Sequence, residues 1–122
     1  MGEMRRDPTS NDWVVFSTER GKRPQPMHQK APLTELLPLD KSCPFCPGNE
    51  SRTPAELYRH PAPNGNSDWL VRVVPNAFPA LSSAGALDRT EEGRFFRRID
   101  AFGAHEVIVE TPSHNTPLAL LD

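Results

Sequence analysis

Long hydrophobic runs are missing from this chain of 122 residues, of which only 36% are hydrophobic. No stretch approaches the roughly 20 apolar residues that a membrane-spanning helix needs. The first seven residues also lack the apolar core of a secretory signal peptide. The sequence therefore predicts a cytoplasmic protein without a membrane partner.

An excess of charge of either sign is also missing, since 14 Lys and Arg residues face 16 Asp and Glu residues. This near-neutral balance provides no general attraction for nucleic acid, and we expect no such partner. The basic residues Arg20, Lys22 and Arg23 are a local exception. They form either a solvated loop or a grip for an anion, because arginine matches phosphate geometry.

Cysteine is scarce, and both cysteines, Cys43 and Cys46, lie in one short segment, residues 43–50, which we call the knuckle. In a reducing compartment a Cys-x-x-Cys pair is more often a metal or redox element than a disulfide. The spacing lets one turn present two sulfurs to one metal ion. A proline after each cysteine stiffens this turn, and Gly48 and Asn49 tolerate left-handed backbone just beyond it.

A closed tetrahedral zinc site needs two further ligands. Of the four histidines, His114 is the first candidate, because it follows a predicted strand end and can reach sideways to the knuckle. His28 and His60 lie in proline-rich segments and are interpreted as surface residues, whereas His105 lies within a predicted strand. The residues leave the fourth ligand open.

Two other interpretations of the cysteine pair remain open. A redox dithiol usually opens a helix, but Pro47 and Gly48 follow the pair at once, which disfavours that interpretation. The two cysteines can also be simple unligated thiols.

Proline is abundant, with 14 residues, more than twice the average usage of about 5%. This excludes an all-helical bundle and predicts long irregular connections. Patterns of apolar and β-branched residues predict strands at residues 13–17, 68–74, 97–102 and 105–110. Capping signals predict helix starts near Thr53 and at Pro117, and a single helical turn is allowed at 34–37. Residues 82–94 are expected to be mobile, without a regular element.

The helix that begins at Pro117 has fewer than two turns before Asp122. Strands without further partners would also leave exposed sheet edges. We therefore expect residues 1–122 to be the first part of a longer protein.

Six segments resemble, in order, the N-terminal half of galactose-1-phosphate uridylyltransferases in the histidine-triad-like superfamily. The segments are residues 6–8, 13–17, 20–24, 43–50, 71–80 and 105–114. The resemblance implies an α+β fold, with an antiparallel sheet, flanking short helices and long Pro-rich loops. It also implies that residues 1–122 form a single partial N-terminal domain.

The resemblance further implies an activity. In that family a histidine attacks the α-phosphorus of UDP-glucose, and the uridylyl group then passes to a second hexose 1-phosphate, which is nucleophilic catalysis in two steps. The nucleophile lies in a His-Pro-His motif that this sequence does not contain. We therefore expect the chain alone to be inactive. Family members form homodimers.

Residues with implied roles fall into three sets. Cys43, Cys46 and His114 match zinc ligands. Arg20 and Arg23 match arginines that approach the phosphates, in family dimers from the neighbouring subunit. The wall of the uridine pocket is matched by Phe45, Asn76, Phe78 and Val107, for which ordinary packing is the alternative.

Two departures from the family pattern widen the functional prediction. Phe45 stands where studied uridylyltransferases carry a smaller aliphatic residue, and Ala77 stands where they carry a carboxylate. Adenylyl transfer to phosphate is therefore one alternative. Another is a non-catalytic zinc module that binds a nucleotide or a partner protein.

Overall fold

The computed structural model describes residues 2–24, 35–63 and 68–121. The chain divides into two compact units. The first unit comprises Met1–Gln25 and Phe78–His105, and the second comprises Pro26–Ala77 and Glu106–Asp122. His28 lies outside the described residues. That residues 1–122 form a single partial domain stays a prediction.

Both units are built on antiparallel strands. The strands are β1 (Glu3–Arg6), β2 (Trp13–Phe16), β3 (Tyr58–His60), β4 (Val71–Pro75), β5 (Thr90–Glu92), β6 (Phe96–Asp100) and β7 (Glu106–Val109). They form a four-stranded sheet of order β2-β1-β6-β5 and a three-stranded sheet of order β3-β4-β7. In the part of the chain that the structure describes, the helices are short 3₁₀ turns, at Thr18–Lys22, Glu50–Arg52 and Leu118–Leu120.

The first unit begins with a hairpin of β1 and β2. Its turn is stabilised by Asp7, whose Oδ1 accepts a hydrogen bond from the Thr9 N–H at 2.7 Å, and by Asn11, which takes a positive φ of 69°. Short polar side chains suit both positions. Ala101 is buried, whereas all four residues of β2 are exposed. The predicted strand at 13–17 is confirmed.

β5 contradicts the expectation that residues 82–94 hold no regular element. It pairs with β6 in the register Glu91 to Arg97, and Gly93 turns between the strands with a φ of 67°. Glu91 and Glu92 form ion pairs with Arg97 and Arg98 at 3.2 and 3.0 Å. Opposite charges facing each other across two strands stabilise such a pair.

The second unit is centred on β4. Arg72 and Val74 on this strand are buried, and Trp69, just before it, has no exposed surface. β7 alternates as predicted, with Glu106 and Ile108 exposed and the residues between and after them half-buried. The strands predicted at 68–74 and 105–110 are therefore present in slightly shorter form.

The helix predicted to start at Thr53 does not form, and this prediction is wrong. The Thr53 hydroxyl donates to the Glu50 carbonyl and accepts from Arg72. The Glu56 carboxylate binds Arg59 and Arg72 rather than a backbone N–H. Both capping side chains are thus used by tertiary partners, and the chain continues into β3.

The helix expected from Pro117 is present only as the 3₁₀ turn Leu118–Leu120, and the turn expected at 34–37 lies partly outside the described residues. The α+β class is confirmed in a coarser form, as antiparallel sheets with a few short helices. None of the helical turns in the described ranges has the length and apolar character that crossing a bilayer requires.

Candidate metal centre and nucleotide pocket

The knuckle is a series of tight turns. The Cys46 N–H donates to the Cys43 carbonyl at 3.3 Å, and the Asn49 N–H donates to the Cys46 carbonyl at 3.1 Å. Gly48 has a φ of 88°, as expected for the residue that reverses the chain. Asn49 has a φ of −111°, so of the two residues that tolerate a left-handed backbone only Gly48 adopts it.

The side chains of Asn49 and Arg52 stabilise the loop that leads into the knuckle. Asn49 Nδ2 donates to the Cys43 carbonyl at 2.7 Å, and Arg52 Nη1 donates to the Ser42 carbonyl at 2.8 Å. Both also reach the Lys41 carbonyl. Sequence reasoning assigned neither residue this part, because the contacts depend on where the loop carbonyls point.

The structure brings Cys43, Cys46 and His114 together as a group that could hold a metal ion, with ligand atoms within 4.8 Å of one another. His114 Nδ1 lies 3.4 Å from Cys46 Sγ. The imidazole reaches this position because the backbone N–H of His114 donates to the Pro38 carbonyl at 2.8 Å, which holds this part of the chain in place.

Zinc fits this group in chemistry and in size. Two thiolates and one imidazole are donors that bind zinc well. Magnesium and calcium prefer oxygen ligands instead. Typical zinc–sulfur and zinc–nitrogen bonds in a tetrahedral site place the two donor atoms about 3.6 Å apart, close to the 3.4 Å between Cys46 Sγ and His114 Nδ1. These three residues fill three of the four positions of a closed site.

In the environment of Cys46, a metal ion has to compete with a proton for the sulfur. Its side chain is buried, and burial raises the pKa of the thiol, an effect that the Asp40 N–H partly offsets. Without a metal the thiol is therefore protonated at neutral pH, and a metal ion must displace that proton when it binds.

A groove of about 340 Å³ runs beside the metal group in the second unit. Phe45, which is 40% exposed, and Val107 line it together with the three candidate ligands. Asn76, another residue with an expected role, follows β4 in the same unit. Two of the four expected pocket residues thus share one surface with the metal group.

The other expected residues belong to the first unit. Arg20 lies in the turn Thr18–Lys22, and its Nη1 donates to the Phe78 carbonyl at 3.4 Å. Arg23 follows that turn and is exposed, with its N–H bound to the Arg20 carbonyl at 3.2 Å. The basic loop is therefore held against the segment that carries Phe78, and the Arg23 side chain faces solvent.

Replacing Gly48 by alanine tests the knuckle backbone. Its positive φ is unfavourable for any residue with a Cβ, so we expect a loss of about 1 kcal/mol in the free energy of unfolding. Gly21→Ala is the control, because a Cβ there meets no atom within 4 Å. Urea titrations of both variants measure the difference, and an equal effect of the two changes would contradict the assignment.

Two antiparallel sheets with short helical turns, and loops that bring two cysteines and a histidine together, define an α+β protein with a candidate metal site. The chain belongs to the family described as galactose-1-phosphate uridyl transferase, N-terminal domain, which it matches over residues 1–122. This confirms the family resemblance found in the sequence.

Two of the proteins that the chain resembles have different named activities. The chain is 40% identical to an ADP-glucose phosphorylase of Arabidopsis thaliana, over 98% of the chain and 34% of that protein. It is 31% identical to a galactose-1-phosphate uridylyltransferase of Haemophilus influenzae, over 96% of the chain and 32% of that protein. It thus spans about a third of the length of these relatives.

A solved uridylyltransferase has a similar fold. It superposes with a TM-score of 0.52 at 26% identity, over 93% of this chain and 26% of that one. The likeness covers the antiparallel sheets and short helices described above.

Proposed function

We propose that this chain supplies the metal site and part of the nucleotide pocket of a hexose-1-phosphate nucleotidyltransferase. The observation that carries the proposal is the meeting of Cys43, Cys46 and His114 within 4.8 Å, beside a groove that Phe45 and Val107 also line. A non-catalytic zinc module that binds a partner protein would need the metal group but no pocket for a base.

Zinc at this group would stabilise the fold next to the pocket and would not act as the catalyst. When bound, it links the knuckle to the segment after β7, because its ligands come from both places. Structural zinc contributes its binding free energy to folding. No step of the transfer needs an open coordination position on this ion.

Phe45 and Phe78 offer apolar surface to a nucleotide base, and the Asn76 amide can hydrogen-bond a base edge. Arg20 and Arg23 would neutralise phosphate charge, which stabilises the negative oxygens during phosphoryl transfer. In the proposed mechanism these residues orient the nucleotide sugar, UDP-glucose. The attacking histidine comes from a His-Pro-His motif, which residues 1–122 do not contain, and the acceptor is a hexose 1-phosphate. A cytoplasmic homodimer is the proposed assembly.

Adenylyl transfer is the second candidate. The 40% identity to an ADP-glucose phosphorylase exceeds the 31% identity to a uridylyltransferase. Phe45 and Ala77 also depart from the uridylyltransferase pattern, at two positions close to the expected base site. ADP-glucose would then replace UDP-glucose, and inorganic phosphate would replace the sugar phosphate as acceptor.

Nucleotide titration of the zinc-loaded chain, followed by amide NMR, tests the proposal. We expect UMP to shift the signals of Phe45, Asn76 and Val107, whereas a stronger response to AMP would favour adenylyl transfer. A zinc-loaded chain that binds neither nucleotide would contradict the proposal and leave a zinc module that binds a partner protein.

An assay of the chain with UDP-glucose and galactose 1-phosphate, and with ADP-glucose and phosphate, should show no turnover. Turnover would contradict the assignment of the nucleophile to a segment outside residues 1–122.

A further inference from the structure

We propose that Asp40 is a positioning residue that fixes both Cys46 and His114 for metal binding. The proposal rests on the metal site of the proposed function, and it assigns a task to a residue that neither the sequence motifs nor the family resemblance singled out. Asp40 lies three residues before the knuckle, which its backbone contacts, and its side chain lies between Ser42 and His114.

The backbone of Asp40 is bound to both cysteines. Its carbonyl accepts from the Cys43 N–H at 3.2 Å, and its N–H donates to Cys46 Sγ at 3.4 Å. Asp40 thus holds the Cys46 sulfur through its N–H and the backbone of Cys43 through its carbonyl.

The side chain of Asp40 is fixed by Ser42. One carboxylate oxygen, Oδ1, accepts from the Ser42 N–H at 2.7 Å and from the Ser42 hydroxyl at 2.6 Å. Both hydrogen bonds use Oδ1 and hold the side chain in place, while the second carboxylate oxygen, Oδ2, is turned towards His114. It lies 3.9 Å from His114 Nε2.

The two ring nitrogens of His114 therefore face different partners. Nδ1 faces the Cys46 sulfur at 3.4 Å, the side on which a shared metal ion would bind. Nδ1 can donate its lone pair to a metal only when the neutral ring carries its proton on Nε2. The Asp40 carboxylate is the group that faces Nε2 and favours this tautomer.

The 3.9 Å between His114 Nε2 and Asp40 Oδ2 is longer than a hydrogen bond, and a shift of about 1 Å or one bridging water closes it. Both side chains are partly exposed, at 23% for His114 and 42% for Asp40, which leaves room for either. A carboxylate behind a metal-binding imidazole orients the ring.

The alternative is that Asp40 only forms a turn. The chain contains a matched example, because Asp7 Oδ1 accepts from the Thr9 N–H and hydroxyl at the same 2.7 and 2.6 Å. Asp7 belongs to the first unit, and in the described ranges the candidate metal group lies in the second. Asp7→Asn is therefore a control for the loss of a carboxylate from such a turn.

The experiment measures zinc affinity of the 122-residue chain by competition with a chromophoric chelator. Asp40→Asn keeps an oxygen for Ser42 but leaves no second oxygen for His114. We expect Asp40→Asn to weaken zinc binding about 10- to 100-fold, the usual effect of losing an outer partner of a metal ligand. Asp7→Asn should leave the affinity unchanged within about 2-fold, since that change touches no ligand.

A ¹⁵N spectrum of the histidine rings supplies a second readout that a turn residue would not change. In the wild-type chain His114 should hold its proton on Nε2, and Asp40→Asn should increase the other tautomer in the metal-free state. Ser42→Ala separates turn from carboxylate, because it removes the hydroxyl contact and keeps Oδ2. Its effect on zinc affinity should be smaller than that of Asp40→Asn.

Equal zinc affinity and equal His114 spectra in wild type and Asp40→Asn would overturn the proposal and leave the metal site intact. An effect of Ser42→Ala as large as that of Asp40→Asn would also overturn it in favour of the turn. A wild-type chain without measurable zinc affinity would overturn the metal site of the proposed function, and the task of Asp40 with it.

Discussion

Replacing Cys46 by alanine should abolish stoichiometric zinc binding, with a loss of affinity of more than about 100-fold. Cys46 is only 3% exposed, and its sulfur lies 3.4 Å from both His114 Nδ1 and the Asp40 N–H. It is therefore the central donor of the group. Its removal leaves one thiol and one imidazole, too few to compete with a chelator for zinc.

Zinc titration and thermal unfolding measure this effect together. A ligand that binds only the folded state at 100 times its Kd stabilises that state by about 2.7 kcal/mol. The wild-type chain should show such a zinc-dependent rise in Tm, and the Cys46→Ala variant should show none. His60→Ala is the matched control, since His60 lies in the same unit but outside the candidate metal group, and its Nδ1 lies 3.4 Å from the Tyr58 hydroxyl.

Two results would contradict the assignment. One is a Cys46→Ala chain that retains one zinc ion, and the other is a His60→Ala chain that loses it. Removal of Cys46 also deletes a small buried side chain. The Tm values of the wild type and of Cys46→Ala in excess chelator therefore separate the packing effect from the metal effect.

The strands were predictable wherever burial alternates along the chain. β7 is the clearest example, since its alternation of exposed and half-buried residues follows the sequence pattern. β5 was not predictable in this way, because all three of its residues are exposed, and it pairs with β6 as an antiparallel ladder flanked by exposed ion pairs. The complementary charges on either side of Gly93 were the available signal for that hairpin.

The metal group was predictable because its signal is local. The two cysteines are separated by only two residues, so a single tertiary contact, with the histidine that follows a strand end, completes the group. The tasks of Asp40, Asn49 and Arg52 were not predictable, because each depends on where a carbonyl, a sulfur or a ring nitrogen lies after folding. How the groups of the first unit complete a nucleotide pocket stays a prediction.

The failed helix prediction at Thr53 has a different cause. Thr53 and Glu56 have the spacing of a capping box, whose contribution is typically about 1 kcal/mol. Arg72 lies 19 residues from Thr53 and 16 residues from Glu56, and it binds both of these side chains instead. A guanidinium with only 1% exposure must be paired, and that requirement outweighs the local preference for a helix.

Glu56 should therefore be a major determinant of stability, and Glu56→Ala should lower the free energy of unfolding by about 3 kcal/mol. Its carboxylate accepts from Arg72 Nε at 2.8 Å and from Arg59 Nε at 2.6 Å. Arg72 packs against the Trp69 ring at 5.5 Å, and among the described residues its Nη1 has no hydrogen-bond partner. Loss of Glu56 would leave this buried cation without its counterion. The estimate is at the lower end of the usual range because Glu56 is 28% exposed.

Urea denaturation of Glu56→Ala and of Glu91→Ala provides the comparison. The Glu91–Arg97 pair is exposed on both sides, so its loss should cost less than about 1 kcal/mol. Similar losses in the two variants would show that Arg72 does not depend on its carboxylate.

The dependence of stability on pH gives an independent check. Hydrogen bonds from Arg59 and then from Arg72 lower the pKa of Glu56. The folded state thus holds the ionised form more strongly than the unfolded state does. The stabilisation is fully present above the unfolded pKa, and it is lost as the pH falls through the folded pKa. Glu56→Gln should therefore lose less stability than the wild type between neutral pH and strongly acidic pH. If Glu56→Gln and the wild type lost the same stability in acid, another group of the second unit would balance the charge of Arg72.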